Sequence, residues 1–165
     1  MGGWNLYQYP LNPVDENDPL GLCPPGRHRA TKDEIQKILD AANTRIQANT
    51  SPSRSAYNAQ MCNQYVDRSI KDAFPGSIQG EPNTTQIRAG VEYFSEVSTP
   101  SVGNLALLSN PGHVVFVTSV DNGKVTGFSG SQSSTGPGQV QLPNRYWSPK
   151  FDSDSTKFFD ICLPD

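Results

Sequence analysis

Met61-Cys62-Asn63-Gln64-Tyr65-Val66 opens the stretch around which this chain is organised. Counting from Cys62, the residues Tyr65, Val66, Ser69, Ile70, Ala73 and Phe74 fall at i+3, i+4, i+7, i+8, i+11 and i+12, one face of an α-helix. The spacing predicts a helix over 62–74, ended by Pro75-Gly76. A cysteine in the first turn of a helix sits where unpaired N–H groups and the helix dipole favour the thiolate. Further along, Gly112-His113-Val114-Val115-Phe116-Val117 sets a histidine at the start of an apolar strand, behind a Pro-Gly turn. Alone, each is more often plain packing: a core cysteine, a strand-end histidine. Together, in this order, they read as nucleophile and base, Cys62 and His113 of a Cys–His hydrolase.

Before that helix, Thr31 and Glu34 have the spacing of a capping box, and Ile35, Ile38, Leu39, Ala42 and Ile46 supply the apolar stripe of a helix over 32–48. After it, Ile87, Val91 and Phe94 predict a helix over 84–95, capped by Asn83 or Thr84, although Gly90 lies within it. From Val102 the pattern changes to short strands, 105–108, 113–120, 124–129, 139–142 and 157–163, with Asp121-Asn122-Gly123 as a hairpin turn. Helices followed by strands imply an α+β fold, its nucleophile helix packed on a small antiparallel sheet.

At 165 residues the chain can bury one core, so one domain with an N-terminal appendage is expected. A net charge of −3 with 35% hydrophobic residues argues against a dedicated nucleic-acid binder and against disorder. No run reaches the roughly 18 apolar residues of a membrane span, and no signal-peptide pattern stands at the start. The sequence has no CxxC, HxxH or HExxH and no Gly-rich phosphate loop, so neither a metal nor a cofactor is expected. The three cysteines admit a Cys23–Cys162 disulfide with Cys62 free, or three reduced thiols. Cys23-Pro24-Pro25-Gly26 has linker composition, and His28, between Arg27 and Arg29, is expected to be exposed and idle.

Two resemblances sharpen this reading. In residues 1–22, Asn5-Leu6-Tyr7-Gln8-Tyr9, Asn12-Pro13 and Asp18-Pro19-Leu20-Gly21-Leu22 resemble the end of the Rhs/YD-repeat core, with its N-L-Y-x-Y…N-P…D-P-x-G-L signature. That resemblance implies a β-shell enclosing a C-terminal toxin and cleaving itself after the motif. The junction would involve Asp18, Leu22 and Cys23, and the toxin would occupy 23–165. Second, Cys62-Asn63-Gln64-Tyr65-Val66, Gly103-Asn104-Leu105-Ala106 and Gly112-His113-Val114-Val115-Phe116-Val117 resemble three blocks of NlpC/CHAP-type papain-like amidases, with Asn104 where many members have Asp. Such domains recur among type VI secretion effectors that cut peptidoglycan.

The second resemblance implies a papain-like fold with Cys62 as nucleophile and His113 as base. It places a third, orienting residue on the strand after the histidine strand, where Ser129 is the nearest match through its hydroxyl or its carbonyl. The N–H of Cys62 would serve the oxyanion hole, with Gln60 or Asn58 as a second donor or simply as a helix cap. Substrate contacts are expected from Tyr57, Gln60, the 130–138 loop, Tyr146 and Trp147. The implied partners are a peptidoglycan peptide, a cognate immunity protein, and the Rhs shell with its secretion apparatus. The implied place of action is the target cell's periplasm, an oxidising compartment that suits the disulfide. The rival readings are a papain-fold protease or deamidase acting on a cytosolic protein, and a non-enzymatic interaction module on the shell.

Overall fold

The computed structural model describes residues 23–48, 62–109, 112–122, 124–129, 138–142 and 156–165. In chain order these form β1 (Arg27–Arg29), α1 (Lys32–Ala48), α2 (Cys62–Ala73), α3 (Thr84–Arg88), β2 (Phe94–Val97), β3 (Leu105–Ser109), β4 (Gly112–Asp121), β5 (Lys124–Ser129), β6 (Gly138–Leu142) and β7 (Lys157–Pro164). The architecture is mixed helix and antiparallel sheet, as the α+β reading expects.

The capping box at the start of α1 forms reciprocally. The Thr31 N–H donates to the Glu34 carboxylate at 2.8 Å, and the Glu34 N–H donates to the Thr31 hydroxyl at 3.3 Å. Ile38, Leu39 and Ala42 are buried beneath it. Helix α2 buries Tyr65, Val66 and Ile70 completely, and the Tyr65 ring meets Phe116 of β4 edge-on at 6.0 Å between centroids. The Tyr65 hydroxyl donates to the Ala42 carbonyl at 2.8 Å, which satisfies its polar end inside the core and ties α2 to α1.

The helix expected over 84–95 is only the single turn of α3. Asn83 caps it with its own capping box to Gln86. Gly90, at φ +78°, turns the chain into the left-handed region, and from Phe94 it pairs with β7 as strand β2. Long-range pairing outranks the helical spacing there.

The sheet runs β1-β7-β3-β4-β5-β6, with β2 also on β7, and every pairing is antiparallel. The Cys162 N–H donates to Tyr93 O, whereas Ile161 O accepts from the Ala30 N–H. Two groups of one peptide point opposite ways, so β1 and β2 flank β7 on opposite sides. One face of the sheet carries Leu105, Leu107, Val114, Phe116, Phe159 and Ile161 into the main core beneath the helices. The other gathers Ala106, Leu108, Val115, Val117 and Val125 into a second cluster. Gly103, at φ +92°, leads into β3, and a Cβ there would stand 2.4 Å from Ile35 of α1. Only glycine lets the helix and this turn approach so closely.

The segment with linker composition is structural. Cys23 is bonded to Cys162, with Cα atoms 5.7 Å apart. The Arg27 guanidinium lies 4.5 Å over the Tyr93 ring and donates to the carbonyls of Ser77 and Cys162 at 3.1 and 3.0 Å. His28 is not idle. Its Nε2 lies 3.1 Å from Glu34 and its Nδ1 3.1 Å from Asp165. Arg29 pairs with the buried Asp160 at 2.9 Å, and Asn104 donates to the same carboxylate at 2.7 Å. A polar, proline-rich sequence reads as a linker because nothing local shows that each side chain has a distant partner.

Candidate active site

Cys62 is the first residue of α2, and only 9% of it is exposed. Its thiol is approached by the backbone N–H groups of Val114, Asn63 and Cys62 itself, all of which favour the thiolate. Burial is the larger influence and acts the other way, joined by the nearby Asp67 carboxyl, so the thiol is pushed above its ordinary value. The helix start supplies the donors that the sequence leads one to expect, yet desolvation wins. A resting thiolate is therefore not what this site holds.

His113, the second residue of β4, is 4% exposed, and burial pushes its imidazole down to about 4. At neutral pH both groups are uncharged: a protonated thiol and a neutral imidazole. An imidazole in that state can accept a proton.

The structure brings the Cys62 thiol to the backbone beside His113 and not to the imidazole itself. Val114, whose N–H points at the Cys62 thiol, directly follows His113. Along β4, Val114 and Phe116 belong to the core beneath α2, whereas Val115 and Val117 belong to the opposite cluster. His113 has the parity of Val115 and stands opposite Leu108 of that second cluster. The thiol thus reaches β4 at the 113–114 peptide, while the pleat directs the imidazole from the strand's first turn toward the other face.

Ser129, the proposed orienting residue, ends β5 in register with Val115, two residues along β4 from His113. Asp18, Leu22, Tyr57, Gln60, Tyr146 and Trp147 lie outside the described residues. A cleft of about 630 Å³ between the start of α1 and β7 is lined by residues including Arg29, Lys32, Val102 and Asp160, but by neither Cys62 nor His113. Among the described residues, no three His, Cys, Asp or Glu side chains converge as a metal site.

The sequence gives no hint of Asp67. It falls off the apolar stripe of α2 and reads as solvent-facing, yet it is wholly buried, neither carboxyl oxygen has a hydrogen-bond partner, and burial pushes it up to about 8. The segment at 77–82 packs over this flank of the helix, where Asn63 donates to Pro82 O at 3.2 Å.

No family model and no solved structure matches the chain. A stretch of 23 residues is 74% identical to YlbH, an uncharacterized protein of Escherichia coli (strain K12). That match covers 14% of this chain and 10% of YlbH, so the chain spans about a tenth of the length of this relative.

Proposed function

We propose that the domain at 23–165 is a papain-like cysteine amidase, an effector toxin that hydrolyses amide bonds in the peptide stems or cross-links of peptidoglycan. One observation carries the reading: a cysteine at a helix start presents its thiol to the strand backbone at the residue following a buried, neutral histidine. As the Cys62 sulfur attacks the amide carbonyl, the His113 imidazole takes the thiol proton, and the N–H of Cys62 faces the developing oxyanion. The imidazolium then gives that proton to the departing amine, leaving a thioester. Water, deprotonated by the same imidazole, attacks the thioester, releases the carboxylic acid and restores the thiol.

Both shifts suit a neutral pair that transfers its proton only as the carbon–sulfur bond forms, rather than a preformed ion pair. The pair also sets a condition: His113 has the parity of Val115, so the backbone at the start of β4 must turn for the imidazole to face the thiol. Residues 1–22 would be the end of an Rhs shell that releases the domain at Leu22–Cys23, with Asp18 in the cleaving motif. The Cys23–Cys162 disulfide favours a periplasmic target over a cytosolic one. A cognate immunity protein would cover the region of Cys62 in the producer.

Muropeptides incubated with the wild-type chain and with Cys62→Ala test the proposal by mass spectrometry of the products. The expected result is a Cys62-dependent gain of one water, with fragments that identify the bond. Intact muropeptides beside a folded protein would remove peptidoglycan from the account and turn attention to a cytosolic protein substrate.

A further inference from the structure

We propose that Asp67 gates the Cys62 nucleophile: as a neutral carboxylic acid it leaves the thiol free to ionise, and as a carboxylate it opposes the thiolate through the body of α2. The inference rests on the reading of Cys62 as nucleophile, and it assigns a positioning charge that this reading does not itself require.

Asn63, Asp67 and Lys71 lie four residues apart on one stripe of α2, facing the segment 80–82. The outer two are engaged: Asn63 donates to Pro82 O, and the Lys71 ammonium donates to Gly80 O. Asp67 is fully buried between them, with both oxygens unpaired. Glu81, on the facing segment, turns instead to Arg68 at 2.8 Å and Gln64 at 3.1 Å. Two other charges near α2 have partners of their own. Arg45 of α1 pairs with Asp72, and Lys37 lies over the Phe74 ring. From β4 comes His113, kept neutral by burial, and α3 brings Arg88, whose buried Nη2 atom makes no hydrogen bond.

A buried carboxylate without donors is costly, so a proton is the partner that Asp67 takes. Burial, with Glu81 adding to it and Lys71 opposing it, moves that proton's release into the range in which cysteine thiols ionise. The Asp67 charge acts on Cys62 and raises its thiol. Five residues of helix put the two groups about 7.5 Å apart along the axis, hence on the order of 10 Å in space. At an effective dielectric of about 20, that separation changes the thiolate fraction by roughly tenfold. Each ionisation opposes the other, so the thiolate grows less steeply with pH than that of an uncoupled thiol would.

The test is alkylation of Cys62 by iodoacetamide, a neutral probe, in the full oxidised chain across the pH range of thiol ionisation. Wild type is compared with Asp67→Asn, with circular dichroism confirming the fold. The expected result is a titration midpoint at lower pH in the variant, with labelling about tenfold faster on the alkaline side of neutrality. Coincident curves from two folded proteins would overturn the proposal. If Asp67→Asn does not fold, infrared spectroscopy of the wild-type chain decides. A protonated carboxyl band must persist at neutral pH and vanish as Cys62 labelling falls below a single-group curve; its absence at neutral pH would overturn the proposal. Alkylation reads the thiol and not turnover. A chain that fails to cut muropeptides would therefore sink the amidase reading without touching this result, and coincident alkylation curves would do the reverse.

Discussion

The segment 23–31 and the helix α2 handle charge in opposite ways. In the first, Arg27, His28 and Arg29 are all partly exposed and all partnered, and a disulfide closes the segment onto β7. In the second, the titratable groups at and beside the candidate nucleophile are buried, and burial holds each of them uncharged at neutral pH. The first arrangement binds an N-terminal strand to the fold. The second gives up stability at neutral pH through Asp67, which is ionised and solvated in the unfolded chain but buried and protonated in the fold. Strain of that kind is common where a protein needs reactivity.

The largest expected effect that tests this contrast is on chemistry. Cys62→Ala should cut muropeptide hydrolysis by about a thousandfold or more, since the nucleophile is lost, while circular dichroism and the melting profile stay close to wild type. A variant retaining most of its activity would make α2 a purely structural helix.

The next largest effect is on the clasp. Replacing Cys23 and Cys162 together by serine should destabilise the fold by about 3–5 kcal/mol in denaturant titration, because the closed loop is long. A loss below about 1 kcal/mol would mean that β1 is held by its side-chain pairs alone.

Third, the buried groups predict how stability depends on pH. His113 titrates near 4 when folded and near 6.5 when free, so acid protonates the unfolded chain first, and stability falls as the pH drops through that window. The loss should reach about 3 kcal/mol, and His113→Asn should flatten it. Asp67 titrates near 8 when folded and near 3.8 when free, so its contribution falls as the pH rises between those values. The two slopes oppose each other at mildly acidic pH, and above it only the Asp67 penalty remains. Asp67→Leu should therefore raise the melting temperature more at pH 8 than at pH 5; an equal gain at both would show that Asp67 is not held neutral.

The smallest expected effect lies at the start of α1. Thr31→Ala removes one half of a capping box and should cost about 1 kcal/mol, measured by thermal melting, with no change in Cys62 reactivity. A change in that reactivity would join the two regions that this account keeps apart.

Where local pattern and burial agree, the sequence was easy to read. The stripe from Cys62 to Phe74, the Thr31–Glu34 box and the Asp121–Lys124 hairpin are local devices, and the structure has all three. What escaped depends on distant partners. Arg27–Arg29 became a strand because the last strand of the sheet pairs with it, and Phe94 left its expected helix for the same strand. Asp67 is buried by a segment that begins ten residues later, and no periodicity marks that. At the candidate site, the places of Cys62 at a helix start and His113 at a strand start were legible. Their charge states were not, because donors at a helix start can be counted in a sequence while desolvation cannot.

The most direct test is to trap the thioester. The wild-type chain would be mixed with muropeptides, quenched in acid within the first turnovers, and weighed intact and after digestion. The account predicts an acyl adduct on Cys62, its mass equal to that of the released fragment less one water, absent from Cys62→Ala. Muropeptides cleaved while Cys62 stays unmodified at every time point, with Cys62→Ala equally active, would contradict it.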